Sequence, residues 1–165
     1  MTETVQIAVI SDTHGLLRPE AVAVLRGVDW ILHAGDFGSA EVLAAVRALA
    51  SEPGQFAAVR GNVDHGAWAK YLPKRVTVKI AGARIHMLHD LGELDFNPAT
   101  EGYAAVISGH SHQPRIEQRG SVIYINPGSA GPRRFRLPVT VARLRIPQKN
   151  PRKIHAEIID LLPGG

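Results

Sequence analysis

The stretch VQIAVISDTHG, residues 5–15, opens the fold. Its apolar first half predicts a short buried strand, and its second half is polar and ends in glycine. Two more apolar runs, at 29–34 and 56–59, follow within the first 65 residues. Helical patterns at 19–25 and 39–49 separate the three runs. This strand–helix–strand–helix–strand order predicts a parallel sheet with right-handed crossovers.

The pattern changes after Pro73. Further strands are predicted at 75–80, 84–88, 103–107, 122–125, 139–146 and 153–159. The first two flank Ala81-Gly82, which is typical of a hairpin turn. The last two alternate apolar and polar residues, as antiparallel strands with one solvated face do. We therefore predict one α/β domain over residues 1–165, in which a sheet begun in parallel packs on a mostly antiparallel sheet, with the helices outside.

Polar side chains of the metal-binding type follow five of the predicted strands. The segments after the strands are 11–15, 33–36, 60–65, 89–90 and 108–112. Because the carboxyl ends of strands in α/β folds converge on one crevice, these segments are expected to meet. Each segment alone is explained as well by a turn, a helix cap or a buried histidine. The ordered set instead predicts a site whose candidate ligands are Asp12, His14, Asp36, Asn62, His89, His110 and His112.

This ordered set resembles the calcineurin-like metallophosphoesterase superfamily. The short chain and the segment Asn126-Pro127-Gly128-Ser129 are similar to its small YfcE-like phosphodiesterase branch. The resemblance spans roughly residues 5–133 and implies a four-layer α/β/β/α sandwich of two packed mixed β-sheets flanked by helices. It also implies two metal ions. Asp12, His14 and His112 would hold the first ion, Asn62, His89 and His110 the second, and Asp36 would bridge both.

The resemblance implies a chemistry as well, namely hydrolysis of a small phosphodiester by a hydroxide that bridges two divalent metal ions. Asp36, Asn62 and His110 are the expected catalytic residues, and Asn62 is expected to donate to a phosphate oxygen. Mixed nitrogen and oxygen ligands suit Mn²⁺, which we expect first, and also Fe, Ni²⁺, Co²⁺ or Zn²⁺. Four histidines argue against Mg²⁺ or Ca²⁺ alone.

The sequence departs from the family pattern at two positions. Many members carry a histidine directly after the motif asparagine, and that histidine is thought to protonate the leaving group. Here the position is Val63, which cannot titrate, and His65 is the neighbouring candidate to replace it. Relatives also often read His-Gly-His where this chain has His89-Asp90-Leu91.

Composition excludes several classes of protein. The absence of cysteine excludes disulfides, cysteine-ligated zinc and thiol catalysis. No apolar run approaches the roughly 18 residues of a membrane span, and no signal-peptide pattern precedes residue 5, so we expect a cytoplasmic protein. The net charge is +4, of which residues 1–112 carry −3 and residues 113–165 carry +7.

Two alternative functions stay open at this point. The fold is also that of a retromer-type subunit, which implies a catalytically weak protein-binding scaffold. The basic last third of the chain leaves room for a nuclease, although no nucleic-acid recognition motif accompanies the charge. A homo-oligomer is expected from family analogy only. The natural substrate does not follow from the sequence.

Overall fold

The computed structural model describes residues 3–164. Within that range, ten strands form two sheets, and two α-helices follow the first two strands. The elements are β1 (Thr4–Ile10), α1 (Pro19–Leu25), β2 (Trp30–His33), α2 (Ala40–Ala48), β3 (Phe56–Ala58), β4 (Arg75–Ile80), β5 (Ala83–Leu88), β6 (Ala105–Ile107), β7 (Arg115–Arg119), β8 (Val122–Asn126), β9 (Thr140–Pro147) and β10 (His155–Asp160).

The first sheet has the strand order β10-β9-β1-β2-β3. Its three N-terminal strands are parallel, as the sequence predicted. The last two strands form the expected antiparallel pair, and β9 adds this pair to the free side of β1. Helix α2 begins where predicted, because the Ser39 hydroxyl accepts a 3.2 Å hydrogen bond from the Val42 backbone N–H and caps the helix.

The second sheet has the order β4-β5-β6-β8-β7 and corrects the expectation of a mostly antiparallel sheet. The hairpin β4–β5 is present, but β5–β6 and β6–β8 are parallel pairs. Residues 89–104 and 108–121 return the chain to the opposite end of the sheet, so β6 and β8 run in the same direction as β5. Strand β7 was not predicted, because Ile116 is its one apolar residue and it lies at an exposed edge.

The facing sides of the two sheets form the main core, which includes Ile7, Leu32, Ile85, Met87, Ile107 and Leu144. The outer side of the first sheet is covered by α1 and α2 through residues such as Leu25 and Val46. The predicted sandwich of two packed mixed sheets is thereby confirmed. Its fourth layer is thin, since a single 3₁₀ turn, Leu91–Glu93, and its flanking loop cover Leu88 and Val106.

None of the helices in residues 3–164 has both the length and the apolar character needed to cross a membrane.

Candidate metal centre

Loops from both sheets meet at the carboxyl ends of β1, β2, β3, β5 and β6. The Asp12 backbone N–H donates to the Gly35 carbonyl at 3.0 Å, which ties the loop after β1 to the loop after β2. The His110 backbone N–H donates to Asp12 Oδ2 at 3.1 Å, which ties the second sheet to the first. The crevice predicted from the strand ends therefore exists, and one aspartate stands at its centre.

The first group of predicted ligands is compact. His112 Nε2 lies 3.3 Å from Asp12 Oδ1, and His14 Nε2 lies 3.6 Å from the same oxygen. The two imidazole nitrogens are 3.2 Å apart. Asp12 Oδ1 is fully buried and forms no regular hydrogen bond. A buried carboxylate oxygen without a hydrogen-bond donor, faced by two histidine nitrogens, fits a transition-metal cation.

The second group lies across the crevice. Asn62 Oδ1 is 3.0 Å from His89 Nε2 and 3.1 Å from His110 Nδ1. His89 is buried, whereas the His110 side chain is 46% exposed at the mouth of the crevice. An amide oxygen and two imidazole nitrogens on neighbouring loops form a second set of donors of the expected kind.

Asp36 lies between the two groups. Its Oδ2 is 3.1 Å from His89 Nε2 and 3.7 Å from His14 Nε2. Its Oδ1 accepts a 3.0 Å hydrogen bond from the Val63 backbone N–H, which fixes the carboxylate plane. The structure thus brings all seven predicted residues into one site, with Asp36 in the position expected of a shared ligand.

The carboxylates and imidazoles shift each other's protonation. Burial disfavours the charged form of Asp12, but His112 and His14 outweigh burial and hold its pKa well below the usual range. Burial opposes ionisation of Asp36 too, and contacts with His89 and the Val63 N–H still lower its pKa. Burial disfavours protonation of His89, yet the two aspartates raise its pKa to about 8. The two carboxylates are therefore anionic donors at neutral pH.

Five of the seven residues hold a left-handed backbone conformation, which residues other than glycine seldom adopt. The φ angles are +55° for Asp12, +46° for His14, +61° for Asp36, +72° for His110 and +62° for His112. Such a conformation costs on the order of 1–3 kcal/mol for each residue and persists where surrounding contacts enforce it. The strain is concentrated at the predicted ligands, as is common at functional sites.

Two glycines are required by close approach. A Cβ at Gly61 would lie 2.0 Å from Asp36 Oδ1, and a Cβ at Gly109 would lie 2.1 Å from Ser11 Oγ and 2.7 Å from Asp12 Oδ2. Any larger residue at either position would displace a central carboxylate. Both glycines lie inside candidate segments, Gly61 in 60–65 and Gly109 in 108–112.

Asp64, which is not among the predicted residues, supports the site through its hydrogen bonds to the loops. This buried carboxylate accepts hydrogen bonds from the backbone N–H groups of Asp36 at 2.9 Å, Gly38 at 3.0 Å and Gly61 at 2.9 Å. It therefore locks the loop after β2 to the loop after β3. The available signal was an acidic residue two positions after Asn62, inside the candidate segment 60–65.

His33 also connects the loops of the site. Its Nδ1 accepts from the Gly35 N–H at 3.1 Å, its Nε2 lies 3.1 Å from the Thr13 hydroxyl, and its ring stacks on Phe37 with centroids 3.6 Å apart. Complete burial lowers its pKa to about 3, so the ring is neutral and Nε2–H donates to Thr13. The ring connects the loops that carry Asp12 and Asp36.

The segment after β8 supports the same loops. Asn126 Nδ2 donates to the Gly109 carbonyl at 2.9 Å, and the Ser129 hydroxyl donates to the Asp12 carbonyl at 2.9 Å.

His65 is exposed, and within residues 3–164 no hydrogen bond or ion pair joins it to the seven residues. The Val63 side chain is 38% exposed beside the crevice.

Comparison with known proteins identifies the family of the chain. The family model of the calcineurin-like phosphoesterase superfamily domain matches residues 5–149. The chain belongs to this superfamily. A probable metallophosphoesterase of Methanothermobacter thermautotrophicus is 35% identical to this superfamily member over 165 residues, covering 93% of this chain and 91% of that protein.

Solved structures show the same superfamily fold. Vacuolar protein sorting 29 of Cryptosporidium parvum superposes with a TM-score of 0.81 at 16% identity, covering 98% of this chain and 94% of that chain. An archaeal phosphodiesterase gives 0.73 at 22% identity, with coverages of 93% and 99%. The E. coli phosphoesterase YfcE gives 0.64 at 21% identity, with coverages of 95% and 100%. The predicted superfamily is confirmed, and the protein is a metallophosphoesterase by family. The fold is shared with YfcE.

Proposed function

We propose that this metallophosphoesterase is a phosphodiesterase that uses two divalent cations held by the seven residues of the site. The observation that carries the proposal is the location of Asp36, whose Oδ2 faces His89 Nε2 on one side and His14 Nε2 on the other. A carboxylate oxygen between two donor groups suits a ligand shared by two cations. Asp12, His14 and His112 would complete the ligand set of the first cation, and Asn62, His89 and His110 would complete that of the second cation.

The donor set also limits the metal. Four imidazoles with carboxylate and amide oxygens suit Mn²⁺, Fe, Co²⁺, Ni²⁺ or Zn²⁺, and we propose Mn²⁺ first. When bound, two such cations attract the phosphodiester anion and lower the pKa of the water that serves as nucleophile. The protein itself contributes rigidity, because Asp64, His33 and the Val63 N–H hold the loops in place before any ligand arrives.

Two residues at the mouth are assigned to the substrate. Asn62 uses its Oδ1 toward His89 and His110, so its exposed amide nitrogen is left to donate to a phosphate oxygen. The half-exposed His110 borders the space above the donors. Val63 occupies the position where many relatives carry a proton donor, and the exposed His65 does not contact the site. The leaving group must then depart without a proton from these two side chains.

The same observations give less support to the two alternative functions, a protein-binding scaffold and a nuclease. The fold is shared with vacuolar protein sorting 29, so the fold does not separate an enzyme from a protein-binding scaffold. The complete donor set and its hydrogen-bonded support favour an enzyme. The basic charge of residues 113–165 supports a nuclease only in part, because Arg145 pairs with Glu157 and two arginines of β7 pair with Glu117. The cytoplasmic location stays a prediction.

Metal removal tests the proposal. Hydrolysis of bis(p-nitrophenyl) phosphate should be abolished by a chelator and restored by Mn²⁺, and elemental analysis should find two metal ions per chain. His89→Ala should lose metal, whereas His155→Ala, which removes an exposed histidine of β10, should retain the full metal content. Full activity of the metal-free protein would disprove the mechanism and favour the scaffold.

A further inference from the structure

A cavity borders the candidate metal centre on the side of the thin fourth layer. It has a volume of about 240 Å³ and is lined by Asp90, Leu91, His110, Gln113, Glu117 and Tyr124, among others. It lies over the outer face of the second sheet, between the loop after β5 and the edge strand β7. None of its residues other than His110 belongs to the donor set described above.

The imidazole ring of His110 lies between the cavity and the other candidate metal ligands. The Nδ1 edge of His110 lies 3.1 Å from Asn62 Oδ1, and the Nε2 edge lies 3.9 Å from Asp90 Oδ2 at the cavity rim. A phosphodiester whose phosphorus lies over the donors would therefore have one ester arm at the entrance to this cavity. The arm's chemistry can be inferred from the lining.

The charges of the lining are balanced. Arg115 and Arg119 both pair with Glu117, at 2.7 Å and 3.1 Å, and Asp90 adds a second negative charge. Two positive and two negative side chains leave no excess for a second phosphate. The cavity therefore suits an uncharged arm, with hydrogen bonds supplied by groups such as Ser111 and Gln113 at its rim.

The cavity also presents a stacked pair of planar groups. The Arg119 guanidinium lies over the Tyr124 ring, 4.2 Å from its centroid, and Leu91 packs in the same small apolar cluster as Tyr124. A guanidinium plane backed by an aromatic ring, next to hydrogen-bonding groups, is a combination that stacks on a heterocyclic base and binds the hydroxyls of a sugar.

We propose that this cavity, defined by Asp90, Leu91, Gln113, Glu117 and Tyr124, binds the nucleoside arm of a nucleotide phosphodiester. The inference rests on the proposed phosphodiesterase activity and names its substrate class. The phosphate takes its place at the donors around Asp36, and the base and sugar occupy the cavity beyond His110. A glycerol or simple alkyl arm would leave the Arg119–Tyr124 pair without a stacking partner.

Matched substrates test the proposal. Thymidine 5′-(p-nitrophenyl phosphate) and methyl p-nitrophenyl phosphate release the same leaving group and differ only in the retained arm. We expect kcat/KM to favour the thymidine ester about tenfold, which is the usual scale of base stacking on one aromatic side chain. Tyr124→Ala should reduce this preference to about one, and Tyr124→Phe should keep most of it. Tyr71→Ala removes an exposed tyrosine outside the cavity and should leave the preference unchanged.

A binding experiment separates this inference from the proposed function. Thymidine 5′-monophosphate titrated into the Zn²⁺-loaded protein should shift the methyl resonances of Leu91, which lines the cavity, and not those of Leu25 on the opposite layer. Equal kcat/KM for the two esters, or a preference that Tyr124→Ala does not change, would overturn the inference. Resonance shifts at the cavity without any metal-dependent hydrolysis would support the cavity and refute the proposed phosphodiesterase.

Discussion

The two sheets contribute different kinds of side chain to the candidate metal centre. The loops of the first sheet supply both carboxylates. Buried hydrogen bonds fix these loops, because Asp64 and His33 accept from their backbone N–H groups and Ser129 donates to the Asp12 carbonyl. The loops of the second sheet supply only imidazoles, and the half-exposed His110 opens onto a cavity. Negative charge and rigidity therefore lie in one half, and access for a substrate lies in the other. The first half should determine whether cations bind, and the second should determine which ester is hydrolysed.

The largest expected effect concerns the leaving group at the open mouth. An alkoxide is a poor leaving group because the pKa of its conjugate acid is roughly 15–16, near that of water, whereas nitrophenolate delocalises its charge. With Val63 beside the crevice, alkyl diesters should react ~10²–10⁴-fold more slowly than aryl diesters, since this is the usual contribution of a general acid. Steady-state kinetics on a matched alkyl and aryl pair measures the gap.

Two variants sharpen this test. Val63→His should help alkyl esters far more than nitrophenyl esters. His65→Ala removes the neighbouring imidazole and should leave the gap as it is. Equal rates for alkyl and aryl esters in the wild type, with loss of the alkyl rate alone in His65→Ala, would identify His65 as the acid and contradict our interpretation of Val63.

Within the charged half, Asp36→Asn should cost more activity than any other single ligand change. Loss of the Asp36 charge would weaken metal binding by both groups of ligands. The decrease in activity should therefore exceed the roughly 100-fold seen when residues that only orient ligands are changed. Asp12→Asn and His112→Ala, which affect the first group, are the comparison. Rates and metal content should be measured together. An Asp36→Asn protein with two bound ions and a near-normal rate would mean that the bridging role is misassigned.

The next effect tests the support behind the carboxylates. Asp64→Asn replaces one accepting oxygen by a donor and so breaks at least one of three backbone hydrogen bonds. Metal affinity should fall ~10–100-fold, as for other residues that position ligands. Isothermal titration with Mn²⁺ measures it. Asp95→Asn, at an exposed aspartate paired with Arg75 on the surface, is the matched control and should bind metal like the wild type.

The smallest effect is on stability. Because the pKa of His33 is about 3 in the folded protein and 6.5 ordinarily, the unfolded chain binds more protons between these values. The free energy of unfolding should therefore fall as pH drops below about 6.5, by ~1.4 kcal/mol per pH unit from this group. Urea unfolding of chelated protein between pH 7 and pH 4 measures the slope. His33→Gln should make it shallower, and His155→Gln, at an exposed histidine, should not; identical slopes would refute the assignment.

The same contrast explains what could be predicted from the sequence. The parallel start, the β4–β5 hairpin and the meeting of the seven candidate ligands in one crevice followed from apolar runs and from the polar residues at their ends. The charged edge strand β7 left no apolar pattern to detect, and with it the cavity beside Tyr124 stayed hidden. The role of Asp64 depends on contacts with Asp36 and Gly38, more than 20 residues away, which no local pattern encodes.

The left-handed ligands have a consequence for how such a chain changes over time. Asp12, His14, Asp36, His110 and His112 are held in conformations that glycine adopts at no cost. A lineage released from its chemistry would gain folding free energy by replacing them, so drift would erase the metal centre while strengthening the scaffold. Under the proposed function, the need to bind metal is what would oppose that gain at these five positions.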